Sequence, residues 1–356
     1  MKLYAVILCG GRGERFWPRS RRGMPKQFIK LFGDESLTRR TSERIDSLCP
    51  AKRKVFVAPA EFANVIRDRS GKVGKFLFEP QGRNTGPAIG YAAAYLAAIE
   101  PDATMVVLPA DHLIERRREF LSSVRLAARL AQKGLLVTFG IPPSRPDTGY
   151  GYIQTGEKIA GRGRLTAHQV LGFHEKPNLA KARRYLKAGN YLWNSGMFVW
   201  RVDTILEGFG KFMPGFHRML LRFKKAVGTR HEDSVLKAMY EHAPVISIDY
   251  AVMEKAENIA AVRATFDWDD VGSWLALARH SRHDKNSNVL KGLCLTKDAK
   301  NCIVDSDEGI IAVLGVKDLV IVRSGDAVLV AHQDKVAEIK ELLKQARRVP
   351  AAKRFL

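Results

Sequence analysis

The chain has 356 residues, is 46% hydrophobic, and carries a formal net charge of +22 from 59 Lys and Arg against 37 Asp and Glu. That length accommodates one large α/β domain with a smaller appendage, and no apolar run is long enough to span a bilayer, so no membrane association is expected. Cys9, Cys49, Cys294 and Cys302 form no CxxC pair, which predicts reduced thiols in a cytoplasmic protein; no stretch alternates basic with aromatic residues, so no nucleic-acid partner is expected despite the charge.

Residues 4–9 (YAVILC) form a short apolar run of the kind that makes a buried strand, and it stops at Gly10-Gly11-Arg12-Gly13. Glycines let backbone N–H groups approach an anion. Arg12, Arg15, Arg19, Arg21, Arg22 and Lys26 surround them with positive charge, so the segment predicts a phosphate-rich ligand. A Walker A motif is excluded because Arg15-Phe16 or Phe16-Trp17 stands where its Lys-Ser/Thr belongs. A dinucleotide fingerprint would place its third glycine on Phe16. A plain strand-to-helix turn would account for one glycine pair, but three glycines around an arginine, followed by Pro25-Lys26, favour a ligand.

Residues 55–58 and 76–78 read as strands separated by a helical segment over 61–69, and this alternation predicts an α/β fold with a mixed, mostly parallel sheet flanked by helices. In the loop over 79–89 (EPQGRNTGPAI), Asn84 or Thr85 is placed to cap a helix over 88–99, with Pro87 in its first turn. A carboxylate at Glu79 can accept hydrogen bonds from N1–H and the N2 amino group of guanine, a pair that adenine and pyrimidines do not offer. From the residues alone, base selection and an ordinary capped loop stand level. Residues 104–108 form another buried strand, ending at Pro109-Ala110-Asp111-His112. An acidic residue at the carboxyl end of a central strand lies where open α/β sheets bind ligands, which makes Asp111 the first candidate metal ligand. Its competing role is an N-cap for the helix over 119–132. His112 is read as structural or as a support to the neighbouring ligand.

A strand over 135–140 precedes Gly149-Tyr150-Gly151, a turn that permits close backbone approach to a ring-shaped polar ligand. Phe173-His174-Glu175-Lys176-Pro177, a helix over 180–187 and the segment YLWNSGMF over 191–198 follow. Residues 212–242 are helical and carry no assigned chemistry, and Asp249 is read as a helix cap. After a strand over 260–266 comes Asp267-Trp268-Asp269-Asp270. Three aspartates in four residues repel one another unless a cation or basic neighbours compensate, which favours a metal. The polar segment 280–288 predicts a boundary, dividing the chain into 1–282 and a small β-rich unit over 283–356. A helix over 335–347 with the stripe Val336, Ile339, Leu342 and Leu343 is read as core or homodimer contact. The tail over 348–356 is expected to be loose.

Taken in order, Trp17-Pro18-Arg19-Ser20-Arg21, Pro25-Lys26-Gln27-Phe28, the Arg83-Asn84-Thr85 string, Leu108-Pro109-Ala110-Asp111-His112, the Tyr150 turn, Glu175-Lys176-Pro177 and Asn194 resemble the sugar-nucleotide pyrophosphorylase family in its mannose-1-phosphate guanylyltransferase form. One departure is Glu14, where the family commonly has Thr. The resemblance implies a Rossmann-like nucleotide-diphospho-sugar transferase fold with a partial β-helix at the C-terminal end. It implies GTP and mannose 1-phosphate as substrates, with Mg²⁺ or another divalent cation held by Asp111 and Asp270. Leu8, Gly10, Gly11, Gly13, Glu79, Arg83, Asn84 and Thr85 are implied at the nucleotide, with Arg12, Arg15 and Lys26 on the departing pyrophosphate. Gly149, Tyr150, Gly151, Glu175 and Asn194 are implied at the sugar and Lys176 at its phosphate. The alternatives are a pyrophosphorylase for another nucleotide and sugar pair, or a catalytically silent nucleotide-sugar-binding subunit; both aspartates and both lysines are retained, which counts against the latter.

Overall fold

The computed structural model describes residues 2–70 and 74–356. Its first half alternates strand and helix: β1 (Lys2–Leu8), α1 (Leu37–Arg44), β2 (Lys54–Pro59), α2 (Ala63–Ser70), β3 (Lys75–Glu79), α3 (Thr85–Ile99) and β4 (Ala103–Pro109). Next come α4 (Arg117–Ala131), β5 (Leu136–Ile141), β6 (Tyr152–Arg162), β7 (Leu165–His174), α5 (Leu179–Ala188) and β8 (Tyr191–Arg201). Helices α6 (Val202–Phe212), α7 (Pro214–Ala226) and α8 (Glu232–His242) precede β9 (Ile259–Arg263) and α9 (Leu275–His280). The nine strands form one mixed sheet in the order β3-β2-β1-β4-β8-β5-β9-β7-β6. β1 to β4 pair in parallel; β8 runs antiparallel between β4 and β5, and the β6–β7 hairpin adds further antiparallel pairing.

Side chains alternate across each strand, so the sheet sorts its apolar residues onto two faces. Leu3, Ala5 and Ile7 of β1 join a core with α4, whereas Val6 joins one with α3, α6, α7 and α8. Asn84 caps α3 by accepting from the Thr85 N–H at 2.8 Å. Small residues let α3 lie close to α7: a Cβ added at Gly90 would stand 2.8 Å from the Phe216 ring.

The C-terminal unit contains β10 (Val289–Lys297), β11 (Ile303–Leu314), β12 (Leu319–Ser324), β13 (Ala327–His332) and α10 (Ile339–Ala346). β10, β11 and β12 pair in parallel and β13 closes the sheet antiparallel, consistent with the expected β-rich coil. A shared core joins this unit to the glycine loop, with Phe16, Leu31 and Trp274 packed with Ile303, Val320, Ile339 and Leu343. Val336, Ile339 and Leu343 are buried as expected, whereas Leu342 turns outward and is 48% exposed. The tail departs from expectation. It forms a short helical turn, Pro350–Phe355, anchored where the Trp17 Nε1–H donates to the Phe355 carbonyl at 2.8 Å and the Arg22 N–H to that of Leu356 at 3.2 Å. No helix among the described residues is long and apolar enough to cross a membrane.

Candidate active site

The glycine loop leaves the carboxyl end of β1, an interior strand between β2 and β4. Gly11 (φ 89°) and Gly13 (φ 65°) adopt left-handed backbone conformations that side chains disfavour. Gly13 has a second reason to lack a side chain, because a Cβ there would overlap the Cβ of Lys26. Lys26 is buried, and its Nζ donates to Asp111 Oδ2 and to the Asp270 carbonyl, both at 2.8 Å. One lysine thus ties the loop, the end of β4 and the aspartate segment together. Gly13→Ala is expected to destabilise the fold by about 1–3 kcal/mol and to displace Lys26. Thermal unfolding checks this against Gly23→Ala, where the added methyl meets nothing within 4 Å.

The arginines that surround the loop with positive charge divide by partner. Arg19 donates through Nε to Asp305 at 2.7 Å and pairs with Asp307 at 3.1 Å, while Arg21 pairs with Asp326 and donates to the Ser324 carbonyl. Both therefore fasten the C-terminal unit. Arg12 pairs with Glu61 at 3.2 Å, whereas the exposed Arg15 has no ion-pair partner among the described residues. Glu14 pairs with Arg347, just past α10.

The three clustered aspartates also separate. Asp267 Oδ1 accepts from the N–H groups of Glu115 and Arg116 at the start of α4, a capping role that Asp111 does not take. Asp269 accepts from the Val271 N–H at 2.7 Å, from Arg279 and from His280; burial opposes its charge, but His280 and Arg279 hold its carboxyl well below the usual range. That clamp holds Val271 at φ 49°, a strained conformation for a β-branched residue. Asp270 accepts from the Tyr150 hydroxyl at 2.9 Å. Each carboxylate has its own partner, so mutual repulsion does not by itself call for a metal.

Two adjoining cavities share Gly11, Asp111 and His112. The first, about 390 Å³, is lined by Leu8, Gly10, Glu79, Asn84 and Thr85, and also by Asp249. The second, about 480 Å³, is lined by Arg12, Gly13, Arg15, Lys26 and Asp270. A larger opening of about 770 Å³ beside Arg164 and Arg263 contains none of the glycine-loop residues, nor Asp111 or Asp270. Glu79 is buried and accepts from the Tyr240 hydroxyl at 3.0 Å; burial pushes its carboxyl up to about 7, with Tyr240 pulling the other way. Asp111 is one-third exposed; burial opposes its charge, but Lys26 and His112 hold its carboxyl below the ordinary value. Among the described residues no three His, Cys, Asp or Glu converge as a self-sufficient metal cage. Asp111 and Asp270 nonetheless offer hard oxygen donors to one cavity, a set that suits Mg²⁺ sharing its shell with phosphate oxygens and water.

A family profile described as Nucleotidyl transferase matches residues 4–287, and one described as MannoseP isomerase/GMP-like beta-helix domain matches 294–346. The chain is 39% identical to a mannose-1-phosphate guanylyltransferase of Klebsiella pneumoniae, over 97% of its own length and 75% of the relative's. It is 38% identical to the alginate biosynthesis protein AlgA of Pseudomonas aeruginosa, over 95% and 71%. A crystal structure described as mannose-1-phosphate geranyltransferase from Thermus thermophilus superimposes with a TM-score of 0.88 at 36% identity, covering 98% of this chain and all of the other. The chain belongs to the nucleotidyl transferase family.

In this nucleotidyl transferase the remaining candidates, Gly149, Tyr150, Gly151, Glu175, Lys176, Asn194 and Arg83, line neither of these two cavities. Asn194 is held by three contacts: its Nδ2 donates to Asp249 at 2.7 Å, and its Oδ1 accepts from Thr138 and from the Gly196 N–H. Glu175 packs where a Gly151 Cβ would stand and pairs with Lys176 at 3.2 Å. Lys176 (φ 44°) and Asn84 (φ 71°) join Val271 as positive-φ residues in site loops. Gly149 donates to Asp147, and the Tyr150 ring packs between Trp193 and Trp268. Lys176 lines neither cavity, and Arg83 turns away, donating to the Glu241 carbonyl. Two residues to which the sequence assigned no contact with a ligand line the first cavity. Asp249 makes no side-chain capping bond to its turn and instead accepts from Asn194 at the cavity wall. His112 Nδ1 accepts from Trp268 Nε1 at 3.1 Å, which leaves the proton of the neutral ring on Nε2.

Proposed function

We propose that this nucleotidyl transferase joins mannose 1-phosphate to GTP, giving GDP-mannose and pyrophosphate. The observation that carries this reading is the pair of cavities meeting at Asp111: one has a buried carboxylate for a base, and the other gathers cations and glycine backbone for phosphates. The names of the curated relatives support it. The oxygen of the sugar phosphate attacks the α-phosphorus in line. A phosphate monoester has a second pKa of about 6 and is already largely ionised at neutral pH, so no strong protein base is needed. The demand is to relieve repulsion between anions, which Mg²⁺ held by Asp111 and Asp270 supplies when bound. Arg12, Arg15 and Lys26 stabilise charge growing on the departing pyrophosphate, and Lys176 holds the incoming phosphate. Gly149, Tyr150, Gly151, Glu175 and Asn194 shape the sugar side. The unit over 1–282 carries the chemistry and 283–356 buttresses it, in a cytoplasmic protein.

A panel of GTP, ATP, UTP and dTTP against mannose and glucose 1-phosphates tests the assignment; the GTP and mannose 1-phosphate pair should be used best, and equal use of UTP with glucose 1-phosphate would overturn it. The base assignment makes a separate prediction. Glu79 accepts from both guanine N–H groups together only when ionised, and its pKa near 7 places its protonation inside the working range. GDP-mannose has no phosphate group titrating there. Its affinity is therefore expected to fall about tenfold from pH 8 to pH 6, and Glu79→Gln should flatten the profile. Calorimetric titration at both pH values checks this, and a wild-type affinity independent of pH would remove Glu79 from base selection.

A further inference from the structure

The cavity beside the glycine loop is not walled by the catalytic unit alone. Lys340, on α10 of the C-terminal unit, lines it together with Arg15, Lys26, Asp111 and Asp270. The other lysines of this helical segment have local partners: Lys335 pairs with Glu338 and Lys344 with Glu341. Lys340 has neither an ion pair nor a hydrogen-bond partner among the described residues. Two of the four cations around the cavity are already engaged, Lys26 with Asp111 and Arg12 with Glu61. Arg15 and Lys340 therefore stand as charges available to an anion.

The helix is also held in register with the loop. Arg347 lies seven residues beyond Lys340, close to two helical turns, so the two share a face. Arg347 pairs with Glu14 inside the glycine loop, and Leu343 between them is buried in the core that contains Phe16. This gives Glu14 a purpose: a carboxylate in an otherwise cationic loop anchors the helix that presents Lys340.

We propose that Lys340 binds the β- and γ-phosphates of the nucleotide, and pyrophosphate as it departs, so that the C-terminal unit completes the triphosphate site through a helix docked by the Glu14–Arg347 pair. This rests on the nucleotidyl-transfer reading above.

Steady-state kinetics and calorimetry with magnesium pyrophosphate on the full chain test it. Lys340→Gln is expected to raise the KM for GTP and the Kd for pyrophosphate on the order of five- to tenfold, the range of one charge-assisted contact at a partly exposed site. The KM for mannose 1-phosphate should stay within about twofold, because that phosphate enters from the opposite side of the reacting centre. Lys340→Arg should retain most of the affinity. Lys344→Gln removes the same charge one turn away and should behave as wild type; Glu14→Thr should reproduce part of the Lys340→Gln effect, and the two should combine less than additively. Pyrophosphate and GTP affinities in Lys340→Gln equal to those of wild type, or equal losses in Lys340→Gln and Lys344→Gln, would overturn the proposal. Wild-type protein that binds neither GTP nor pyrophosphate would overturn the nucleotidyl-transfer reading and this inference with it.

Discussion

Asp111→Asn is expected to lower turnover with Mg²⁺ on the order of 10²–10³-fold, the loss typical of removing one charge-stabilising group from a transition state. Asparagine preserves the shape of the side chain and can still accept from Lys26 Nζ, which retains its bond to the Asp270 carbonyl. The change removes charge where the two cavities meet while leaving the packing in place. The stability lost should be about 1–2 kcal/mol, less than for a fully buried pair because the Asp111 side chain is 33% exposed. Measuring kcat well below the unfolding midpoint separates the two effects. Wild-type turnover in magnesium would show that Asp111 holds Lys26 and nothing more.

Arg19→Ala is expected to act on the fold instead, destabilising it by about 3–5 kcal/mol. Asp305 has no exposed side-chain surface, and Arg19 is its one close cation; Lys291 Nζ stands 4.0 Å away, and Asp305 Oδ2 has no hydrogen-bond partner. Burial pushes the Asp305 carboxyl up even with Arg19 present, so removing the guanidinium leaves a buried carboxylate with only Lys291, 4.0 Å away, to offset its charge. Asp305→Asn placed on Arg19→Ala should recover part of the loss because it removes that orphaned charge. Denaturant unfolding of the four proteins in this cycle measures the coupling. A change below about 0.5 kcal/mol in Arg19→Ala would mean that the shared core alone holds the units together.

The elements that carry the site were legible because they are short apolar runs closed by glycine, proline or a capping residue: β1 into the glycine loop, β4 into Asp111, and Asn84 into α3. The outer β6–β7 hairpin was less so, since the turn-side half of β6 is largely exposed and lacks the alternation that marks a half-buried strand. Charge misled for a physical reason. Arg19 and Arg15 look alike beside the glycines, yet Asp305, the partner that distinguishes them, lies 286 residues away in the chain. The aspartate cluster misled similarly, because adjacency along the chain suggested a shared environment that the strained turn at Val271 divides among a helix end, an Arg–His clamp and a cavity wall. His112 sits in the Asp111 motif and Asp249 has the look of a helix cap, and only the tertiary contacts with Trp268 and Asn194 show what their side chains do at the site.

The central claim is that both cavities serve one reaction in which the sugar phosphate displaces pyrophosphate from GTP. Phosphorus NMR of the purified chain with GTP, mannose 1-phosphate and Mg²⁺ observes that exchange directly. The predicted result is GDP-mannose and pyrophosphate formed in equal amounts, with no reaction when the metal is chelated. Consumption of GTP to GDP and inorganic phosphate, or no change in either substrate under conditions where both bind, would contradict it.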